Sequence, residues 1–285
     1  MKFKNVKVPE GINVSRHSPL ADLFILSGGA VVLFGALGLA ALLLGGALAR
    51  HLPVSWETSL ADAVIGGLEP PDGETDPRIA TELNVLAGRL EANMALPEGL
   101  QITVHYLDAE EVNAFATLGG HVFLFRGLIE RMASENALAM VLAHEIAHAA
   151  NRDPAAAVGG ALLLQLVLAA TLGGAPDSLE GLILGPNALL ALGFSREAER
   201  DADRDALSAV AALYGHTAGA AEIFEVFLEE AARAGAAEPP ALLSTHPLSA
   251  ERIAEMRTMA RAHGWPLDGK TTPLPPAIAK LQAAP

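Results

Sequence analysis

From Leu23 to Ala49 the chain reads LFILSGGAVVLFGALGLAALLLGGALA, 27 residues without a charge. No other feature narrows the possible folds as much. As a helix this stretch is about 40 Å long at ~1.5 Å per residue, enough to cross a ~30 Å hydrocarbon core with some tilt. Gly and Ala crowd every face, so the polar stripe of an ordinary surface helix is missing. The flanks differ in sign. Lys2, Lys4, Lys7 and Arg16 stand against Glu10 on one side, whereas Glu57, Asp62, Glu69, Asp72, Glu74 and Asp76 separate Arg50 from the next basic residue, Arg78. Basic flanks stay in the cytoplasm. Residues 1–20 are therefore expected there, residues 21–50 form a transmembrane signal anchor, and everything after Arg50 lies on the far side. Ala47-Leu48-Ala49 fits a small-residue cleavage site, but the apolar run is about twice a signal peptide's ~7–15 residues, which favours a retained anchor.

The remainder is acidic and long enough for a sizeable core. Among 285 residues the net charge is −14, so there is no basic patch to collect phosphates and nucleic acid is excluded as a partner. No cysteine is present, which rules out disulfides and thiolate-bound metal. Residues 51–76 form a linker ending in GGLEPPDGETDP, residues 77–265 a folded domain, and residues 266–285 a loosely held Pro/Ala-rich tail. Within the domain, Ile79, Leu83, Leu86 and Leu90 have a helical period, and Gln101–Leu107 reads as a strand. Val112–Thr117 and His121–Phe125 read as two strands joined at Gly119-Gly120. Ser134, Ser195 and Ser249 start helices. The apolar segments Ala155–Gly174 and Leu179–Leu192 read as a helical excursion, buried or grazing the membrane surface, because the second is too short to span. The whole is expected to be α+β, mainly helical with a small antiparallel sheet, preceded by a transmembrane helix.

The chemistry centres on LAHEIAHAANRD, Leu142 to Asp153. On a helix, His144 and His148 stand at i and i+4, so both imidazoles project from one face and can reach one ion. Glu145, rotated about 100° from His144, is placed to take a proton from water beside that ion. A third ligand is needed, and SREAERDADRDA offers Glu197, Glu199, Asp201, Asp203 and Asp205. Val112–Phe125 also suggests an edge strand that could pair with an extended substrate chain.

The pattern Ser195, Arg196, Glu199, Ala202, Asp203 downstream of HExxH resembles peptidase family M48, which includes the HtpX, CAAX prenyl, Oma and BepA types of zinc peptidase. Upstream, Asn113 to Ala116, Gly119-Gly120, Gly127-Leu128 and Ser134-Glu135-Asn136 are similar to the family's pattern, and so is Ser244-Thr245-His246-Pro247 downstream. The resemblance implies a zincin-type catalytic domain with one Zn²⁺ per chain on His144, His148 and Glu199. It implies Glu145 as general base, and the i, i+4 spacing lets Asp203 orient a ligating imidazole. His246 is the candidate oxyanion donor, and in some relatives its counterpart occupies the zinc instead; packing in a loop would also explain it. Asn113, Ala114 and Phe115 are the implied substrate-binding strand, although packing explains Phe115 equally well. His105, His121, His216 and His263 show no ligand spacing. The implied role is a single-pass endopeptidase of the bacterial inner membrane, periplasmic in its catalytic domain, anchored in lipid by residues 23–49 and acting on unfolded or misassembled proteins. The competing expectations are a polytopic protease of the HtpX type facing the cytoplasm, and a chaperone-like module that binds substrate but cleaves little.

Overall fold

The computed structural model describes residues 18–65, 76–172, 193–234 and 241–282. The second apolar run, Leu179–Leu192, and residues 66–75 of the acidic linker lie outside the described residues, while the earlier part of the expected linker, Val54–Ile65, is a helix that buries Glu57 and Ala61. The chain opens with α1 (Pro19–Ala49) and α2 (Val54–Ile65), then α3 (Pro77–Glu91), whose first turn is capped by the Asp76 carboxylate accepting from the Arg78 N–H at 2.9 Å. One face of α3 carries Ile79, Leu83, Leu86, Ala87 and Leu90 into the core, the spacing of an amphipathic helix.

A three-stranded sheet follows: β1 (Thr103–Leu107), β2 (Ala114–Ala116) and β3 (His121–Phe125), in the order β1-β3-β2. The expectation of an antiparallel sheet is corrected here. β2 and β3 are antiparallel, Phe115 opposite Phe123, but β1 runs parallel to β3, Thr103 opposite His121. The physical reason is the hairpin. Gly119 and Gly120 both take left-handed φ, 73° and 84°, which reverses the chain so sharply that β3 returns between β2 and β1. A Cβ on Gly120 would also strike the Gln101 carbonyl.

Beyond β3 come α4 (Arg126–Ile129) and α5 (Glu135–Ala150), then α6 (Asp153–Leu172), α7 (Arg196–Tyr214), α8 (Glu222–Ala234), α9 (Ala241–Thr245), α10 (Ala250–Ala262) and α11 (Pro276–Leu281). Ser134, Ser195 and Ser249 cap α5, α7 and α10, each side chain accepting from the N–H three residues on. Residues 135–149 are buried throughout, so α5 is the central helix of the core. It meets α7 along Ala202, Ala206 and Ala209, fully buried residues small enough to let the two backbones approach closely.

The C-terminal segment is docked, contrary to the loose tail expected. The Thr272 carbonyl accepts from the Glu135 N–H at 2.9 Å, and the Thr272 N–H donates to Asn136 Oδ1 at 2.7 Å. Ile278 is fully buried, and Glu82 accepts from the N–H groups of Ala277 and Ile278 at the start of α11. A proline-rich composition has no long period to reveal such docking; its anchor points are single residues.

The first apolar run, expected as a helical excursion, is the helix α6, which buries Ala155 and Val158 near its start. It runs antiparallel to α1, with Gly45 and Gly46 facing Ala156, Gly159 and Gly160. A Cβ on Gly160 would lie 2.7 Å from the Leu42 carbonyl, and one on Gly46 3.0 Å from that of Ala156. Glycines thus bring the two backbones into contact, as small residues do between membrane helices. Both helices are long and apolar enough to cross a membrane, and outward residues such as Phe24, Ile25, Val32 and Leu166 are exposed.

Candidate metal centre

Four side chains from three parts of the core converge. His144 and His148 come from α5, Glu199 from α7 and His246 from the loop after α9, all buried, with one donor atom from each inside a 4.8 Å sphere of mutual distances. His144 Nε2 and His148 Nε2 are 3.1 Å apart, and His246 Nδ1 lies 3.3 Å from His144 Nε2. The Glu199 Oε1 oxygen is 3.0 Å from His246 Nδ1 and 3.5 Å from His148 Nε2. The edges of a tetrahedron around an ion with ~2.0–2.1 Å bonds are about 3.3 Å long, so these separations fit one small cation with imidazole and carboxylate ligands.

The surroundings hold these donors in place. His144 Nδ1 lies 3.1 Å from Asp203 Oδ1, an ion-pair distance off the hydrogen-bond line. His148 Nδ1 is hydrogen-bonded to Asp153 Oδ2 at 2.9 Å, and the ring of Phe194 stacks on its imidazole at 4.1 Å. Arg252 of α10, buried, donates to both oxygens of Asp203 at 2.7 and 2.8 Å and lies 2.5 Å from Glu199 Oε2.

Charge is shared across this cluster. Burial works against a charged His144, yet Asp203 and Glu199 outweigh it and raise its pKa to about 10. His148 is raised too: burial opposes the charge and is overcome by Asp153 and Glu199. Burial pushes the Glu199 carboxyl up, but the three histidines hold it far below the usual carboxylate range. Asp203 is likewise lowered against burial, by Arg252 and His144. A metal-free centre therefore retains protons that an arriving cation must displace.

Glu145 is the exception. It is fully buried, and neither carboxylate oxygen has a hydrogen-bond partner among the described residues. His246 Nε2 approaches Glu145 Oε1 to 3.5 Å. A carboxylate buried in this way is costly and calls for a chemical explanation. The space beside it, bounded by Val141, Phe224, Leu242 and Leu248, is about 10 Å³, room for a single water. A wider cleft of about 290 Å³ runs past Phe194, Pro247 and Arg252.

The model of peptidase family M48 matches residues 74–260, most of the described core and every side chain of this cluster. The chain belongs to peptidase family M48. It is 34% identical over 203 residues to a putative beta-barrel assembly-enhancing protease of Vibrio cholerae serotype O1 (strain ATCC 39315 / El Tor Inaba N16961), covering 66% of this chain and 40% of that protein. It is 28% identical over 198 residues to the beta-barrel assembly-enhancing protease of Escherichia coli (strain K12), covering 65% and 39%. To the mitochondrial metalloendopeptidase OMA1 of Schizosaccharomyces pombe it is 32% identical over 156 residues, 54% of this chain and 45% of that one. The chain thus spans less than half the length of these relatives. Family M48 is a family of peptidases, and the cluster described above lies wholly within the matched residues.

Set against this M48 core, the residues singled out from sequence separate cleanly. His144, Glu145, His148, Glu199, Asp203 and His246 come together. Glu197 is exposed, and Asp201 and Asp205 pair with Arg204 on the outer face of α7. His105 and His121 form a pair 2.9 Å apart on the sheet, His216 meets the Lys270 carbonyl and His263 stacks on Trp265, all away from the centre. Asn113, Ala114 and Phe115 lie at the sheet edge. There the N–H of Thr117 and the carbonyl of Asn113 bond to β3, leaving the backbone groups of Ala114 and Ala116 turned outward. Phe115 stacks on Phe123 at 4.9 Å. Arg252, Asp153 and Phe194 escaped the sequence reading. Arg252 had a signal, a lone Arg in the first turn of a helix six residues after His246; Asp153 and Phe194 had only their closeness to recognised motifs.

Proposed function

We propose that this chain is a membrane-anchored zinc endopeptidase that cuts unfolded or misassembled proteins of the cell envelope, with residues 77–265 as the catalytic unit. The observation that carries the reading is the buried cluster of His144, His148 and Glu199 beside Glu145, a carboxylate with no hydrogen-bond partner among the described residues. His144, His148 and Glu199 hold the zinc, and Asp203 fixes His144 from behind. Zinc bound there supplies a Lewis acid for the scissile carbonyl and makes water easier to deprotonate. Glu145 takes the proton from the attacking water and later delivers it to the leaving amine nitrogen as the C–N bond breaks. The outward backbone groups of Ala114 and Ala116, flanked by Asn113 and Phe115, pair with an extended substrate, a mode of recognition that asks little of its sequence.

His246 has two positions in this scheme. In the arrangement described here its Nδ1 sits at the fourth corner of the donor set, which closes the site. Moving away from that corner opens the site, and the imidazole becomes a donor to the oxyanion. The anchor is α1, with the apolar helix α6 packed along it. Arg50 at the end of α1 meets Asp153 at the start of α6, which in turn bonds His148, so the catalytic unit stands at the Arg50 end of this pair. The basic N-terminus supports putting that end outside the cytoplasm, on the periplasmic side of a bacterial inner membrane.

The test is metal removal. The purified chain in detergent is expected to cleave an unfolded protein substrate, to lose at least 90% (about tenfold or more) of that activity on dialysis against a chelator, and to regain it with stoichiometric Zn²⁺. Cleavage that survives complete metal removal would refute the mechanism.

A further inference from the structure

His148 is held from behind by a line of contacts that ends in the apolar anchor. Its Nδ1 lies 2.9 Å from Asp153 Oδ2. Asp153, buried at the start of α6, gives its other oxygen to Arg50, whose NH2 donates to Oδ1 at 2.7 Å. Arg50 is the C-cap of α1, its N–H bonded to the Gly46 carbonyl. An unbroken path therefore runs from α1 through Arg50 and Asp153 to a donor of the metal centre.

The same junction is tied a second time. Arg152 takes a left-handed φ of 57°, which a non-glycine residue adopts only where its surroundings over-determine it. Its guanidinium donates to Glu57 at 2.8 and 3.0 Å and to the carbonyls of Arg50 and Leu52. Glu57 in turn accepts from the Gly119 N–H in the hairpin turn at 3.4 Å. These contacts hold the Arg50 backbone at the junction, within reach of Asp153.

We propose that Arg50 is a positioning residue of the metal centre: acting through Asp153, it fixes the ring orientation and tautomer of His148. The helix α1 is thereby part of the working site as well as its attachment to the membrane. Half-exposed ion pairs contribute little by themselves. This one differs because its acceptor, Asp153, is buried and already engaged with an imidazole, so losing the cation leaves a buried carboxylate free to turn away from His148. A carboxylate behind a ligating histidine sets which nitrogen carries the proton and strengthens the other as a donor. The inference rests on the reading of His144, His148 and Glu199 as a zinc site.

The experiment compares zinc affinity, by competition with a chromophoric chelator, for the full chain in detergent micelles. The variants are Arg50→Gln, Arg50→Lys, Asp153→Ala and the double variant Arg50→Gln/Asp153→Ala. Asp153→Ala is expected to weaken zinc binding about 10–100-fold, the usual effect of losing such a partner, and Arg50→Gln roughly 3–10-fold as the more remote member. Arg50→Lys, which keeps the cation, stays within about twofold of the parent chain. The double variant binds no more weakly than Asp153→Ala alone, because Arg50 acts only through Asp153. The Co²⁺-substituted protein gives a second readout: its visible bands, set by ligand geometry, shift in Arg50→Gln and in Asp153→Ala but not in Arg50→Lys. Unchanged affinity in Arg50→Gln, or losses that simply add in the double variant, would overturn the relay. If the parent chain itself bound no zinc, the metal reading would fail instead, so the two failures are distinct.

Discussion

Replacing Glu145 by Gln is expected to lower the rate of peptide cleavage about 10²–10⁴-fold while zinc content stays at one per chain. The side chain keeps its shape and loses only the ability to take a proton. Its carboxylate has no hydrogen-bond partner to forfeit among the described residues, so folding is undisturbed or slightly favoured by removal of a buried charge. The effect should fall on kcat, with KM for an unfolded substrate little changed, because Glu145 acts on the reacting water and not on the substrate's flanks. Steady-state cleavage of a reduced, unfolded protein, followed by chromatography of the fragments, measures both. A variant retaining cleavage within about tenfold of the parent would remove Glu145 from the mechanism.

The second large effect concerns stability. Arg252 donates to both oxygens of Asp203, which His144 approaches from the other side, and it also lies against Glu199. Burial lowers its pKa, but Asp203 outweighs this and the net shift is upward, so the guanidinium is held charged within the core. Arg252→Met preserves much of the apolar stem and takes the guanidinium away from two buried carboxylates. Breaking a buried pair from one side costs about 3–5 kcal/mol. In a domain of this size that corresponds to a fall in melting temperature of roughly 10 °C. Arg252→Lys should recover only part of it, since an ammonium cannot bridge both oxygens of Asp203 in the planar, two-pronged way a guanidinium does. Thermal unfolding with and without zinc checks the order Met, Lys, parent; a Met variant melting within about 2 °C of the parent would contradict it.

Local rules explain why part of this site was legible from sequence. HExxH is an i, i+4 pattern whose geometry is set as soon as α5 forms, and Glu199 and Asp203 repeat the spacing on α7. Ser134, Ser195 and Ser249 were readable as caps because the bond each makes spans only three residues. What escaped depends on contacts between distant parts of the chain. The parallel β1–β3 pair cannot be distinguished from an antiparallel one by alternation alone, since both present side chains with a period of two. The C-terminal segment is fixed by Thr272 on Asn136 and by Ile278 in the core, single points that composition averages away. Arg252 reads as one more surface arginine until α10 is laid across α7. The pairing of α1 with α6 left a trace in Gly45-Gly46 and Gly159-Gly160, but that trace acquires meaning only when the two helices are placed side by side.

The central claim is that one zinc ion sits on His144, His148 and Glu199. Metal analysis of the purified chain beside its Glu199→Ala and Glu197→Ala variants tests it most directly. Glu199 lies buried at the point of convergence while Glu197 faces solvent two residues away on the same helix. The parent chain and Glu197→Ala should each hold one zinc after gel filtration, and Glu199→Ala should hold almost none. Equal zinc in the two variants would contradict the account.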